Sequence, residues 1–230
     1  MPVSVSGVVS PKPKKLQEEG RHSSVLSYDK IPSSLRLSRT NILNTLVERY
    51  AYTSYLEIGQ GFRTANFDWV RCLIKIGVDP DRSLNAAYQM GSDDFFRINN
   101  DTFDLIFIDG LHHAEQVERD ILNALKVLNE NGTILVHDCN PTTREMQVVP
   151  RSRGSWTGDV WKAWVKLRAT RPDFKMYVIA AAGGCGLIRR GRQDLIRLPE
   201  SLSYELLDKN RKKWLNLVDA NVFLKDPKDN

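Results

Sequence analysis

Residues 55–64, Tyr-Leu-Glu-Ile-Gly-Gln-Gly-Phe-Arg-Thr, decide the fold. They read as a short buried strand carrying an acidic residue, Glu57, which then breaks into a turn with two glycines, Gly59 and Gly61. Glycine accepts positive φ and leaves room for a ligand to approach the main chain. A second carboxylate, Asp79, closes the next apolar run, Cys72 to Val78, about twenty residues further on. A glycine turn after one strand and an acid after the next is how doubly wound sheets hold an adenosine-containing cofactor.

Outward from this stretch the chain alternates between the two periodicities. Ile42, Leu43, Leu46 and Val47 fall at helical spacing between Ser38 and Tyr50, with Ser38 or Thr40 as N-cap. Phe67 to Ile74 reads as a helix, Ile76 to Asp79 as the second strand, and Asn85 to Met90 as a short helix. Phe103-Asp-Leu-Ile-Phe-Ile-Asp109 is an apolar run ending in a carboxylate, as expected of a strand buried on both faces of a parallel sheet. Val117, Ile121, Leu122, Leu125 and Leu128 mark one face of a helix stopped by Asn131-Gly132. Thr133 to Val136 is a further strand, ending at His137-Asp138. Asp159 is the expected N-cap of a helix running to about Ala169. Met176–Ala180 and Gly186–Arg189 are strands joined by a link containing Gly183-Gly184, too short for a parallel crossover, so they form an antiparallel hairpin that adds an edge strand. Residues 203–218 read as a basic amphipathic helix. The expected architecture is α/β: a Rossmann-like, doubly wound, mostly parallel sheet with a C-terminal antiparallel hairpin strand. Residues 1–34, rich in Ser, Pro, Lys and Glu, read as a flexible arm, and 35–230 as a single domain with a C-terminal helix.

With 230 residues, 41% hydrophobic and 27% charged, the chain has the composition of a soluble globular domain. It has no apolar run of the about eighteen residues that a membrane span needs, and its N-terminus lacks the pattern of a secretory signal. Cys72, Cys139 and Cys185 stand far apart in no paired spacing, which excludes a disulfide framework and a zinc motif and points to the cytosol. The net charge of +5 is scattered, apart from Arg211-Lys212-Lys213 and the cluster of Lys12, Lys14 and Lys15. No aromatic-basic interleaving accompanies it, so nucleic acid is not an expected partner.

Glu57-Ile-Gly59-Gln-Gly61, Asp79, Ser92-Asp93 and the strand Phe103–Asp109 resemble successive motifs of class I S-adenosylmethionine-dependent methyltransferases. Ile108-Asp-Gly-Leu-His-His113 and Val136-His-Asp-Cys-Asn-Pro141 are similar to a small bacterial subgroup related to catechol-type and macrocin-type O-methyltransferases. The resemblance covers roughly residues 38–192. It implies that Glu57 and the main chain at Gly59 and Gly61 face the methionine part of S-adenosylmethionine. Asp79 would then take the ribose hydroxyls, with Ser92 and Asp93 beside the adenine. A nicotinamide-dependent oxidoreductase would want a third glycine where Thr64 stands, and its pyrophosphate would be repelled by Glu57.

Asp109-Gly-Leu-His replaces the Asn/Asp-Pro-Pro-aromatic tetrapeptide of many amine methyltransferases, so an oxygen nucleophile is favoured. Two mechanisms stay open. In one, Asp109 and Asp138 bind a hard cation, Mg²⁺, as in similar O-methyltransferases, although His137-Asp138 replaces their usual Asp-Asn pair. In the other, His113 or His137 is the general base, with Asp109 beside it. The bland alternatives are a His112-His113 pair that only caps a helix and an Asp138 that only forms a turn before Asn140-Pro141. Trp161 and Trp164, at i and i+3, are expected in the core. Trp156, with Arg144, Arg151 and Arg153, is expected in a lid over an anionic or sugar-like small-molecule acceptor. Methylation of nitrogen or of a macromolecule, and a non-catalytic cofactor-binding subunit, are the competing functions. The oligomeric state is left open.

Overall fold

The structure is a computed structural model that describes residues 38–151 and 153–225. The flexible arm expected over 1–34 and the lysines at 12, 14 and 15 lie outside the described residues. A seven-stranded sheet organises the rest. Its strands are β1 (Ser54–Ile58), β2 (Ile74–Val78), β3 (Phe103–Ile108), β4 (Leu128–Val136), β5 (Phe174–Ile179), β6 (Cys185–Arg190) and β7 (Leu217–Val218). Their order is β2-β1-β3-β4-β6-β5-β7. Neighbours run parallel except where β6 lies antiparallel between β4 and β5. The reversed strand is therefore internal, and the edges are β2 and β7. The antiparallel hairpin is found as expected, but its place at an edge is not.

Alternating side chains of single strands enter two separate cores, which is why β3 is continuously apolar from Leu105 to Ile108. Leu56, Ile106, Ile108 and Ile134 pack under α2 (Ser92–Ile98), α3 (Ala114–Ala124), α4 (Val160–Thr170) and α5 (Tyr204–Leu215). Tyr55, Leu105, Phe107 and Leu135 pack under α1 (Arg39–Tyr50) and α6 (Ala220–Lys225). Trp161 and Trp164 are fully buried, as expected, and the three cysteines are free and buried.

Several local expectations fail. The helix expected to stop at Asn131-Gly132 ends at Ala124, and Leu128, Asn131 and Gly132 belong to β4. Phe67 to Ile74 is not a helix but a 3₁₀ turn, Phe67–Trp69, followed by extended chain. The Asn44 side chain on α1 takes over the backbone there, donating to the Trp69 carbonyl and accepting from the Arg71 N–H. Residues 85–90 are not helical either. Tyr88 lies along the β2 edge, its N–H donating to Gly77 and its carbonyl accepting from Asp79, a single bridge where a further strand could have formed. Ser92 and Asp93 instead open α2. Asp159 precedes α4 but does not cap it with its side chain. Its Oδ1 accepts from the N–H of Ala114 at 2.8 Å and so caps α3.

Candidate active site

The carboxyl ends of β1, β3 and β4 converge on one region, where a parallel sheet collects ligand-binding groups. Past β1 the two glycines have different reasons to be glycine. Gly59 sits at φ +80, and a Cβ there would lie 2.3 Å from the Asp109 carbonyl oxygen and 2.4 Å from the Gly110 Cα. Its constraint is the main chain after β3. Gly61, at φ +57, has nothing within 4 Å of such a Cβ, so it faces open space. That space is a cavity of ≈ 660 Å³ lined by Gly59, Gly61, Asp79, Ser92, Asp93 and Asp109, among others. Asp79 is fixed in its wall: Oδ2 accepts from the Gly61 N–H and Oδ1 from the Asp81 N–H, both at 2.9 Å.

Glu57 does not line this cavity. It is 1% exposed, and its carboxylate accepts from the Tyr55 hydroxyl at 2.7 Å and from Asn66 Nδ2 at 3.0 Å. Asn66 in turn accepts from Thr40 of α1 at 2.7 Å. Burial pushes the Glu57 pKa up to about 7 against the opposing pull of the Tyr55 and Asn66 hydrogen bonds. Its folded value thus exceeds its unfolded one, so the native state holds a proton that the unfolded chain releases above about pH 4.5. Stability is expected to fall as pH rises from 5 to 8, by roughly 3 kcal/mol for a displacement of this size. Urea melts of the ligand-free protein should show that decline in the wild type and its absence in Glu57→Gln.

Beyond the first cavity lies a buried cluster. Asp109 directly follows β3, and His137 and Asp138 directly follow β4. Arg39, from the first turn of α1, donates to Asp109 Oδ2 at 2.9 Å. His137 Nδ1 stands 3.1 Å from Asp109 Oδ1 and 3.3 Å from Asp138 Oδ2. His112 places Nε2 3.3 Å from Asp109 Oδ1 and Nδ1 3.2 Å from Asp138 Oδ2. Yet the Nδ1 atoms of both histidines are buried without an aligned hydrogen-bond partner. Burial works to raise the Asp109 pKa, but His137, His112 and Arg39 hold it well below the usual carboxylate range. Burial also favours the neutral His137 ring, and the two carboxylates overcome this and raise its pKa to about 9.

Neighbouring loops brace this cluster. Asp138 adopts φ 60, a left-handed conformation unusual for a residue with a side chain. The Gly183-Gly184 link leaves the space it needs: a Cβ at Gly183 would lie 2.5 Å from Asp138 Oδ1, and one at Gly184 2.4 Å from Asn140 Cβ. The link also accepts the N–H groups of Cys139 and Asn140. Arg211 of α5 donates to Asn140 Oδ1 and to the Pro141 carbonyl, both at 2.6 Å, so this member of the basic run is structural.

A second cavity, of ≈ 550 Å³, opens on the other side, lined by Arg39, His137, Asp138, Met146, Trp156 and Thr157 among others. Trp156 lies in its wall, as expected, stacked on His112 with ring centroids 5.1 Å apart. The arginines expected around it do not line the cavity. Arg144 pairs with Glu205, Arg151 lies over the Trp156 ring, and Arg153 is exposed. The arginine that does line it, Arg39, was missed in the sequence. His113 opens α3 outside the cluster, its ring 6.5 Å from that of Trp156, and His112 takes the place expected for it.

Residues 82–139, which include Ser92, Asp93, Asp109, His112, His137 and Asp138, match the family model of a methyltransferase domain. A candidate caffeoyl-CoA O-methyltransferase from Staphylococcus aureus shares the fold, with a TM-score of 0.51 and 12% identity over 66% of this chain and 82% of that one. A candidate O-methyltransferase from Klebsiella pneumoniae does so with a TM-score of 0.50 and 14% identity, over 66% and 79%. No curated protein matches the chain. The expected Rossmann-like, mostly parallel sheet is borne out by the strand order and by these structural neighbours, and the family match spans residues 82–139 of the 230. Among the described residues no helix is long and apolar enough to cross a membrane.

Proposed function

We propose that this chain transfers a methyl group from S-adenosylmethionine to a hydroxyl of a small molecule. The observation that carries this reading is the position of the Asp109–His137–Asp138 cluster. Asp109 lines the larger cavity, while His137 and Asp138 line the smaller, so a donor in one and an acceptor in the other would meet at the cluster. S-adenosylmethionine supplies an electrophilic methyl group on a sulfonium. In the larger cavity the open main chain at Gly61 suits its methionine end, the Asp79 carboxylate its ribose hydroxyls, and Ser92 and Asp93 its adenine. Glu57 acts at one remove, tying β1 to Asn66 and α1.

His137 takes the proton of the acceptor hydroxyl, and Asp109 and Asp138 stabilise the imidazolium that results. Positive charge in the adjoining cavity draws the ring back towards its neutral, proton-accepting form. Alignment of donor and acceptor across the cluster supplies the larger share of catalysis, on the order of 7–11 kcal/mol. Arg39 and the Trp156 wall suit an acceptor with an anionic or sugar-like group. The three free cysteines accord with a reducing compartment, the cytosol. Of the residues at the cluster, the two carboxylates suit Mg²⁺ but the two imidazoles between them do not, because Mg²⁺ prefers oxygen ligands and retained water. No step is assigned to it.

Calorimetric titration tests the proposal. S-adenosylhomocysteine is expected to bind at one site, with affinity reduced in Asp79→Asn, and NAD to give no heat. Heat from NAD alone would overturn it.

A further inference from the structure

We infer that Asp120, a buried acid of α3 that is not among the residues lining the larger cavity, is a positioning residue for the methyl donor. Through Gln116 and Ser92 it fixes the Asp93 carboxylate as a hydrogen-bond acceptor that selects a purine with an amino group at its six position. This selectivity rests on the donor site proposed above, and its device lies in three residues of α3, Gln116, Arg119 and Asp120, that have no part in that proposal.

The pattern of α3 marks Asp120 as out of place. Val117, Ile121 and Ala124 form the stripe that the helix buries in the core, and position 120 falls within the same stripe. An apolar residue there would simply join the core. Asp120 is instead 1% exposed, and an acid taken that far from water needs hydrogen-bond partners to offset its burial. Its partners are Gln116, whose Nε2 donates to Asp120 Oδ1 at 3.0 Å, and the Ser92 hydroxyl. Burial raises the Asp120 pKa against the pull of these two bonds.

Both partners line the larger cavity, and they pass the constraint on to a third residue in its wall. Gln116 Nε2 also lies 3.2 Å from Ser92 Oγ and 3.3 Å from Asp93 Oδ1, which gives an amide with two hydrogens three acceptors to serve. Gln116 Oε1 accepts from the Arg119 guanidinium, so the amide cannot turn over without losing bonds at both ends. Arg119 Nε stands 3.6 Å from Asp93 Oδ2. Asp93 is thus held at both oxygens by residues of α3. Its side chain is half-exposed where it lines the cavity, so this array sets its rotamer. A carboxylate has about four lone-pair sites, which leaves acceptor capacity on each oxygen for a ligand. It accepts and never donates. It therefore pairs with the exocyclic amine of adenine and repels the oxo group that hypoxanthine carries in the same place.

The test uses the full chain and two probes, S-adenosylhomocysteine and S-inosylhomocysteine, in which an oxo group replaces the purine amine. Titration calorimetry of the wild type is expected to favour S-adenosylhomocysteine by about tenfold or more. Asp120→Leu fills the same space without an acceptor and should bring the two affinities within about threefold of each other. Asp120→Asn keeps one carbonyl acceptor and should restore most of the ratio. A packing defect would weaken both probes alike and leave the ratio intact. Thermal melts show which variants are folded, and Gln116→Met repeats the test at a half-buried position on the cavity wall, with the interior untouched. Equal affinity of the wild type for the two probes overturns the inference. So does an undiminished ratio in folded Asp120→Leu or in Gln116→Met. If the wild type binds S-adenosylhomocysteine but the ratio resists these substitutions, only this inference falls. If the folded wild type binds neither probe, the proposed function falls with it.

Discussion

Replacing His137 with Asn is expected to lower kcat by roughly 10²–10⁴-fold, with S-adenosylhomocysteine affinity changed by no more than a few-fold. His137 follows β4, and its backbone N–H donates to the Ile108 carbonyl, so the main chain has no reason to move when the side chain is exchanged. What is lost is the only imidazole among the described residues that lines the smaller cavity. The pH dependence distinguishes this from a packing defect. The folded pKa of His137 is raised to about 9, so the neutral ring is the minor form at pH 7 and grows as pH rises. kcat/KM should therefore climb about tenfold per pH unit and level off near pH 9. The variant should lose this slope. A variant with full activity, or one that keeps the slope, would remove His137 from the chemistry.

Gly59→Ala and Gly61→Ala are expected to fail in opposite ways. At position 59 the added methyl meets main-chain atoms at 2.3 and 2.4 Å, and the φ of +80 disfavours any side chain. Overpacking of this kind costs about 1–3 kcal/mol and the left-handed backbone a further 1–2 or so. For a domain of this size that lowers Tm by on the order of 5–15 °C. At position 61 no neighbour is near, so only the backbone cost remains and Tm should drop by a few degrees. There the methyl enters the larger cavity and should weaken S-adenosylhomocysteine by on the order of tenfold or more. Differential scanning calorimetry beside titration calorimetry separates the two. If Gly61→Ala bound the ligand normally, the larger cavity would not be its site.

Much of this arrangement was legible in the chain because it depends on short-range grammar. The turn at 59–61, the apolar run 103–108 and the carboxylates at Asp79 and Asp109 each announce themselves through neighbours in sequence. What could not be read depends on distant partners. His112 and His113 are indistinguishable as letters, and the choice between them is made by the Gly158-Asp159 turn, whose N–H at Asp159 donates to the His112 carbonyl. Arg39 looks like any surface arginine at a helix start until α1 is laid across the sheet and brings it to Asp109. The apparent helix at 67–74 has suitable spacing, but Asn44 pairs with its backbone instead. The Gly183-Gly184 link was read as a turn requirement, and its work of making room for Asp138 and Asn140 is visible only in three dimensions.

The two cavities have no lining residue in common, and that separation bears on how such a catalyst diversifies. With the donor and acceptor placed as proposed above, changes at Met146, Ser155 or Trp156 are expected to reshape what is modified without disturbing the grip on the methyl source. A laboratory seeking new acceptors could confine its library to those positions and screen for altered selectivity against an unchanged donor affinity.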